Sequence, residues 1–174
     1  LNTLASLLLD VEALPPAARP APFINRDLLA EAEEYARRAA EIVDALGSSE
    51  EPWKTYSLLA QIAERRGSPE EARRWRRREQ ESFAAFRGAD VEIREWLTLI
   101  PVIVAACEGS EEARKQGEQQ LQALEEGWPS TVALVRRVLD GERDIEELTA
   151  EVTNRRIALI VRRILEALGK EYLG

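Results

Sequence analysis

The sequence predicts an all-α fold built from helix pairs, and a short repeated phrase is the main reason. Residues 67–73, GSPEEAR, return one residue shorter at 109–114 as GSEEAR. In each copy a glycine ends one helix, and a serine followed by glutamates begins the next. The copies lie about 40 residues apart, which is typical of helical repeats, and a looser echo occupies 47–51. The sequence also lacks the apolar alternation of β-strands.

The composition agrees with this fold class and excludes some classes of partner. The 174 residues are enough for one domain with a substantial core. The sequence is 45% hydrophobic, 32% charged and 6% aromatic, as expected of a helical protein in water. The net charge of -8 argues against nucleic acid or an anionic membrane surface as the partner.

The chain contains no histidine and a single cysteine, Cys107. Without histidine it lacks the usual general base and zinc ligand, so we predict no enzyme activity, metal or cofactor. Cys107 follows an apolar run, and we expect a buried thiol in a reduced, cytoplasmic setting. The longest apolar stretch, 97–106, is about half of a membrane span. The missing methionine and the start at Leu1 suggest a fragment of a larger protein.

The first two helices are predicted on either side of a proline-rich linker. The first covers Thr3 to Leu14 and is expected to bury Leu4, Leu7, Leu8 and Val11. Four prolines between positions 15 and 22 predict an extended linker. The second helix begins after Asn25 or Asp27 and ends at Leu46. Its expected buried face comprises Leu28, Leu29, Ala32, Tyr35, Ala36, Ala39, Val43 and Leu46.

The third and fourth helices form the clearest predicted pair. The third begins at Ser48 or Ser49, and its expected core residues are Trp53, Tyr56, Leu59, Ala60, Ile62 and Ala63. The fourth extends to Phe86. Ser68 is its predicted cap, Pro69 suits the first helical position, and Glu71 would complete a capping box.

Further helices complete the chain. The fifth is predicted from Val91 to Cys107, capped by Asp90 and kinked near Leu97 by Pro101. The sixth begins after Ser110 and ends near Glu126. The last three are expected at 129–139, 145–152 and 154–168, the final one with an apolar stripe of Ile157, Ile160, Val161, Ile164, Leu165 and Leu168.

The third and fourth helices resemble a tetratricopeptide repeat. Leu59 and Ala60 match the family's large–small pair, and Ala72 matches the small residue of the second helix. Ala32, Ala72 and Ala113 recur 40 and 41 residues apart, longer than the usual unit of about 34. Arg76 and Glu79 depart from the pattern, standing where the family has an aromatic and a small residue.

The resemblance implies an α-α repeat array, an α-solenoid segment with a C-terminal helical cap. We divide the chain into an N-terminal helix and linker at 1–24, repeats at 25–126, and a cap at 127–174 that packs with the repeats as one domain. It further implies a non-catalytic scaffold that binds a protein, a peptide or another domain of the same polypeptide. The arrangement is similar to the helical end of larger bacterial signalling proteins.

Two surface sites are candidates. The family's peptide groove is lined by first-helix residues, which the resemblance places at Lys54, Ser57, Gln61, Glu64 and Arg65. The second candidate is a basic patch on the fourth helix, defined by Arg73, Arg74, Arg76, Arg77 and Arg78. An arginine cluster can bind phosphates, but neighbouring glutamates favour a solvated face, with Glu70 bound to Arg73 or Arg74 and Glu81 bound to Arg77 or Arg78.

Two other functions remain open at this point. The chain could regulate an adjacent NTPase or peptidase module on the same polypeptide. Less favoured is a nucleic-acid-binding helical domain that uses the basic patch. Acidic residues near Glu108, Glu111 and Glu112 are interpreted as helix-start glutamates rather than as a metal site.

Overall fold

A computed structural model describes residues 1–24, 26–46 and 51–170, and over these residues the chain is helical without strands. The predicted caps Asn25, Ser48 and Ser49 lie outside the described residues. Short 3₁₀ segments occupy Pro16–Ala18, Ala21–Phe23 and Ala89–Trp96. The α-helices are α1 (Asn2–Glu12), α2 (Leu28–Leu46), α3 (Pro52–Arg65), α4 (Pro69–Ala84), α5 (Ile100–Cys107), α6 (Glu111–Leu124), α7 (Pro129–Leu139), α8 (Ile145–Thr149) and α9 (Arg155–Lys170).

The chain forms two compact units, at 1–83 and 84–174. In the first unit, α1 packs on α2 and α3, and α2 packs on α3. Asn2 Nδ2 donates to Thr55 Oγ1 over 2.7 Å, and Arg65 Nη1 donates to the Leu9 carbonyl over 2.7 Å, so α1 and α3 run parallel. The predicted partition at residues 24 and 126 remains a prediction.

Most of the predicted core of this unit is confirmed, but α1 is turned from its expected orientation. All six core residues predicted on α3 are buried. On α1, Ala5, Leu8 and Leu9 are buried, whereas Leu4 and Leu7 are exposed. The reason is that a single side of α1 packs against both α2 and α3. On α2 the prediction for Leu46 is also wrong, since this residue is 68% exposed.

The proline-rich linker is only partly extended. Pro15, Arg19 and Pro20 have polyproline-like backbone angles, but 3₁₀ turns follow at Pro16–Ala18 and Ala21–Phe23. Arg19 holds the linker against the end of α1, where its guanidinium donates to the carbonyls of Leu14 and Glu12. Asp27 caps α2 as predicted, because its Oδ1 accepts from the Ala30 amide over 3.0 Å.

One helix-ending turn occurs three times among the described residues. Gly67, Gly109 and Gly141 have φ angles of +70°, +100° and +106°, a region that favours glycine. After each glycine, the next amide donates to a carbonyl five residues back, namely Ala63, Ala105 and Arg137. These are Schellman turns. They confirm the helix ends predicted at Gly67 and Gly109 and add a third at Gly141.

The predicted fifth helix is divided in two. Residues 89–96 form a 3₁₀ segment, and α5 begins only at Ile100. Pro101 therefore lies in the first turn of α5, where its missing N–H costs no helical hydrogen bond, and not at an internal kink. Asp90 does not cap a helix; its Oδ1 accepts from Arg163 Nε over 2.8 Å.

In the second unit, α9 packs against α5, α7, α8 and the 3₁₀ segment at 89–96. Ile160, Val161 and Ile164 of its predicted stripe are fully buried. Helix α6 packs on α5, with Gly117 buried against Ile103. Ser110 caps α6 as predicted, accepting from the Ala113 amide over 3.2 Å, and α7 has its predicted bounds.

Cys107, at the end of α5, is less buried than predicted. It is intermediate in exposure, and its Sγ lies 3.7 Å from the Val138 carbonyl oxygen. Partial burial raises the pKa of this thiol, against a smaller opposing effect of Arg143. Within the described residues, no helix is both long and apolar enough to cross a membrane.

Candidate functional site

The basic patch of α4 separates into exposed and anchored arginines. Arg73, Arg74 and Arg77 are exposed, as predicted for a solvated face. Arg76 and Arg78 are partly buried because they contact residues of α2 and α3. The patch is therefore not a continuous row of solvated cations, and its two halves must be treated separately.

Arg76 of α4 binds two carboxylates, Glu64 of α3 and Glu79 of its own helix, and the first of these joins α4 to α3. Its side chain is 14% exposed, and it donates to Glu64 over 3.0 Å and to Glu79 over 2.9 Å. Glu79 itself is 3% exposed, so the guanidinium supplies the partner that a buried charge requires. Burial opposes the charged form of Arg76, but the hydrogen bonds to Glu79 and Glu64 raise its pKa above the usual value.

Arg78 joins α4 to α2 and α3 at an aromatic stack. Trp75 and Tyr56 lie nearly parallel, with ring centroids 6.1 Å apart. The Arg78 guanidinium carbon lies 4.5 Å from the Tyr56 centroid and 5.5 Å from that of Trp75. Its Nη2 donates to Asp44 Oδ1 over 2.7 Å. Glu81 is predicted to bind Arg77 or Arg78, and Arg78 makes this longer-range contact with Asp44.

A second arginine approaches the same stack from α2. Arg37 lies 5.9 Å from the Trp75 centroid and donates to Glu33 and Glu71 over 2.7 and 2.5 Å. Glu71 also accepts from Trp75 Nε1 over 3.4 Å. The Glu71 carboxylate thus links α4 to Arg37 of α2. These interactions assign Arg37, Arg76 and Arg78 to holding the helices together.

The predicted peptide groove on α3 is occupied at its end by internal contacts. Arg65 donates to the Leu9 carbonyl and to Glu12 of α1, while Glu64 accepts from Arg76 of α4. Lys54 pairs with Glu51. Ser57 and Gln61 are half-buried, and in the described part of the chain no side-chain partner is seen for either. A binding role for this stripe remains a prediction.

A different cleft, absent from the sequence-based candidates, lies between α6 and α7. Its volume is about 520 Å³. Eight of its nine lining residues have polar or charged side chains, whose aliphatic stems also face the cleft; the nine are Glu111, Arg114, Lys115, Glu118, Gln119, Gln122, Arg136, Leu139 and Asp140. All of these residues lie on or directly after two packed helices of the second unit, so the site has a helical frame.

Ion pairs hold the two sides of this cleft, which we call the α6–α7 cleft. Arg136 of α7 donates to Glu118 over 2.6 Å and to Glu125 over 2.7 Å. These bonds raise the pKa of Arg136 and lower that of Glu125. Arg114 lies 3.4 Å from Asp140. The charges of these five residues are thus largely matched within the protein.

Three side chains of the cleft that can donate hydrogen bonds are available to a ligand, and the carboxylate of Glu111 is available beside them. Over the described residues, no side-chain hydrogen bond or ion pair is seen for Lys115, Gln119 or Gln122. Leu139 provides an apolar surface and is 8% exposed. The cleft can therefore offer one ammonium group and two amides, which both donate and accept hydrogen bonds.

The acidic residues considered for a metal site are used elsewhere. Asp90 and Glu92 bind Arg163 and Arg156 of α9, with bonds of 2.8 Å each. Glu111 and Glu112 lie in the first turn of α6, where the helix dipole favours them. Among the residues that the structure describes, no group of three His, Cys, Asp or Glu side chains is placed to hold a metal ion.

Comparison with known proteins identifies no relative: no family model, curated protein or solved structure matches the chain. Two features of the chain bear on its function. One is the set of contacts that Arg76 and Arg78 make with α3 and α2, and the other is the α6–α7 cleft with its available side chains.

Proposed function

We propose that this chain is a non-catalytic helical interaction module that binds a polypeptide segment in the α6–α7 cleft. The observation that carries the proposal is the set of three available polar side chains in a helical cleft: Lys115, Gln119 and Gln122. The segment could belong to another protein or to another domain of the same polypeptide.

The packing of the helices supports a tetratricopeptide-like repeat as the scaffold. In such arrays, the first helix of a repeat contacts the second helix of that repeat and also the first helix of the next repeat. The compact unit at 1–83 contains these contacts among α1, α2 and α3. The compact unit at 84–174 contains them among α5, α6 and α7. The Schellman turns after α3, α5 and α7 add a shared local signature.

The chemistry of the cleft suits a peptide better than an apolar small molecule. Drug-sized ligands usually occupy enclosed apolar pockets, whereas this cleft is open and its lining contains a single apolar residue, Leu139. Gln119 and Gln122 lie three residues apart on α6, so their amides project from neighbouring turns of one face. Two amides in this arrangement can pair with the backbone N–H and C=O groups of an extended segment.

Lys115 adds a preference for acidic ligands. It lies four residues before Gln119 on the same face of α6. Because Arg114 and Arg136 already bind carboxylates of the protein, Lys115 is the cleft cation that remains for the ligand among the described residues. We therefore expect the bound segment to carry an aspartate or glutamate near one end.

The α4 arginines favour a scaffold over a nucleic-acid-binding protein. Arg76 and Arg78 are matched by Glu64, Glu79 and Asp44, which reduces the cationic field that polyphosphate would encounter. The overall charge of -8 acts in the same direction. A nucleic-acid function would have to rely on the exposed half of the patch.

A peptide selection with site-specific cross-linking tests the proposal. The full chain is used to select ligands from a random peptide library, with a photoreactive amino acid placed at position 119 or, as control, at position 116. Gln116 is an exposed residue of the same helix outside the cleft. We expect selected peptides to cross-link from position 119 and not from position 116. Equal cross-linking from both positions, or no enriched peptides, would contradict the proposal.

A further inference from the structure

The α6–α7 cleft contains two unmatched charges of opposite sign on the same helix. Glu111 and Lys115 both line the cleft, and both are exposed. Over the described residues, no side-chain hydrogen bond or ion pair is seen for either of them. The charged residues beside them, Arg114 and Asp140, lie 3.4 Å apart and match one another. A ligand in this part of the cleft therefore meets one carboxylate and one ammonium group.

The helix fixes the order of these groups along the cleft. Lys115 follows Glu111 by four residues, so the two lie on neighbouring turns of one face, about 6 Å apart along the axis. Gln119 lies another four residues on, about 6 Å beyond Lys115. The α6 side of the cleft thus offers first an acidic group, then a basic group, and then the amides of Gln119 and Gln122.

This spacing matches that of an extended polypeptide. In an extended chain, the side chains of one face recur every two residues, about 6.6 Å apart. A segment that lies along α6 would therefore direct one side chain to Glu111 and the next of the same face to Lys115. From Glu111 to Gln122 the helix rises about 16.5 Å, which is the length of about five extended residues.

Glu111 also has a local role, which does not account for its place in the cleft. A carboxylate in the first turn of α6 is favoured by the helix dipole, but Glu112 lies in the same turn outside the cleft and serves the dipole equally. A glutamate four residues before a lysine can also pair with it on the helix surface. Such exposed pairs contribute little stability, so a ligand can replace one at small cost.

We propose that the α6–α7 cleft selects polypeptide segments that carry a basic and an acidic residue two positions apart. Glu111 binds the basic side chain, and Lys115 binds the acidic one. This inference rests on the proposed function, because it specifies which segments the cleft binds. Gln119 and Gln122 hold the backbone whatever its sequence, so the two charges decide the selection. A segment with two like charges is disfavoured, since one of its side chains would face a group of the same sign.

The expected selectivity is modest and depends on salt. Each contact is an exposed ion pair, so exchanging one attractive contact for a repulsive one should change the affinity about fivefold. Charges at an open surface are screened over about 10 Å at 0.1 M salt and over shorter distances as salt increases. The selectivity should therefore shrink at about 0.5 M salt, where the hydrogen bonds of the amides remain.

Synthetic peptide pools test the selection on the full chain. Each labelled peptide has about eight residues and blocked ends, with two charged residues two positions apart and neutral residues elsewhere. The pools carry lysine and aspartate in either order, two lysines, or two aspartates, and fluorescence anisotropy measures their binding. The wild-type chain should bind a mixed-charge pool about fivefold more tightly than either like-charge pool. Glu111→Lys should instead prefer the two-aspartate pool, and Lys115→Glu should prefer the two-lysine pool.

Glu112→Lys is the matched control, because it makes the same change of charge one residue away and outside the cleft. It should keep the preference of the wild-type chain. Circular dichroism shows whether each variant remains folded. If a reversal variant unfolds, Glu111→Gln and Lys115→Gln replace it, and each should abolish the preference for mixed charges without reversing it. A Glu112→Lys variant that shifts the preference as Glu111→Lys does would overturn the proposal, because overall charge would then set the selection.

Gln119→Ala/Gln122→Ala separates this inference from the proposed function. If the amide variant weakens every pool while the two charge reversals leave the preference unchanged, the charge selection is wrong and peptide binding in the cleft stands. If the wild-type chain binds none of the pools, both are overturned. A preference that follows the sign at positions 111 and 115, and weaker binding of the favoured pool by the amide variant, supports both.

Discussion

The guanidinium of Arg78 lies over the ring of Tyr56, 4.5 Å from its centroid, and also donates to Asp44 over 2.7 Å. Tyr56 is on α3 and Asp44 on α2, 22 and 34 residues from Arg78. Tyr56 Oη in turn donates to Asp44 Oδ1 over 2.6 Å. One arginine side chain therefore ties three helices of the first unit together, and its loss should be felt in stability.

Replacing Arg78 with alanine should lower the free energy of unfolding by about 1–2 kcal/mol, the combined range of a cation–π contact and a partly exposed ion pair. Urea denaturation measures this change. Arg74→Ala is the matched control, since Arg74 is exposed on the same helix, and its effect should stay within about 0.5 kcal/mol. Equal effects of the two substitutions would show that the Arg78 contacts do not stabilise the fold.

The free energy of unfolding should decrease at high pH because of the Tyr56 hydroxyl. Burial and the hydrogen bond to Asp44 raise its pKa from 10.0 to about 12. The folded chain therefore holds this proton more tightly than the unfolded chain. Its contribution is complete below pH 10 and is lost as the pH rises from about 10 to 12. Tyr56→Phe should reduce the loss over this interval, measured by urea denaturation at several pH values. An unchanged profile would contradict the assignment.

The close helix contacts of the first unit should not tolerate large side chains. Ala60 is fully buried and Ala72 is 5% exposed, so Ala60→Trp and Ala72→Trp should each destabilise the fold by about 1–3 kcal/mol through overpacking. Ala123→Trp, at an exposed position of α6, is the control and should have little effect. Unchanged melting midpoints for both buried variants would place these alanines outside a helix contact.

Nucleic acid should bind weakly. We expect no dissociation constant below about 10 µM for DNA or RNA at physiological salt, near the nonspecific range. The appropriate test variant is Arg73→Glu/Arg74→Glu, because both side chains are exposed and, within the described residues, make no side-chain hydrogen bond or ion pair. Arg78 is unsuitable for this test since its loss should disturb the fold. Submicromolar binding that the double variant abolishes would favour the nucleic-acid hypothesis.

The local features of this fold could be predicted because their causes lie within a few residues. Gly67 and Gly109 end helices since the turn needs a positive φ angle. Ser110 caps α6 because its hydroxyl reaches an amide three residues later. The prediction that Pro101 kinks a helix was wrong. A proline kinks a helix only in its interior, and Pro101 lies in the first turn because the 3₁₀ segment at 89–96 delays the start of α5.

The site could be predicted far less well, because its contacts join distant residues. Local spacing offers Glu81 to Arg77 or Arg78, whereas the contact of Arg78 with Asp44 joins residues that are 34 positions apart. The α6–α7 cleft depends on how two helices pack, which local spacing does not reveal. One sequence signal did exist: α6 carries glutamines at 116, 119, 120 and 122 and few apolar residues. A helix with so few apolar residues is expected to expose most of its surface to solvent.

Calorimetric titration of a selected peptide into matched glutamine variants tests the central claim most directly. We expect the peptide to bind the wild-type chain, and Gln119→Ala/Gln122→Ala to weaken binding at least about tenfold, or 1.4 kcal/mol, through lost hydrogen bonds. Gln116→Ala, which alters an exposed glutamine of α6 outside the cleft, should leave the affinity within about twofold. Equal affinity for all three proteins would contradict peptide binding in the α6–α7 cleft.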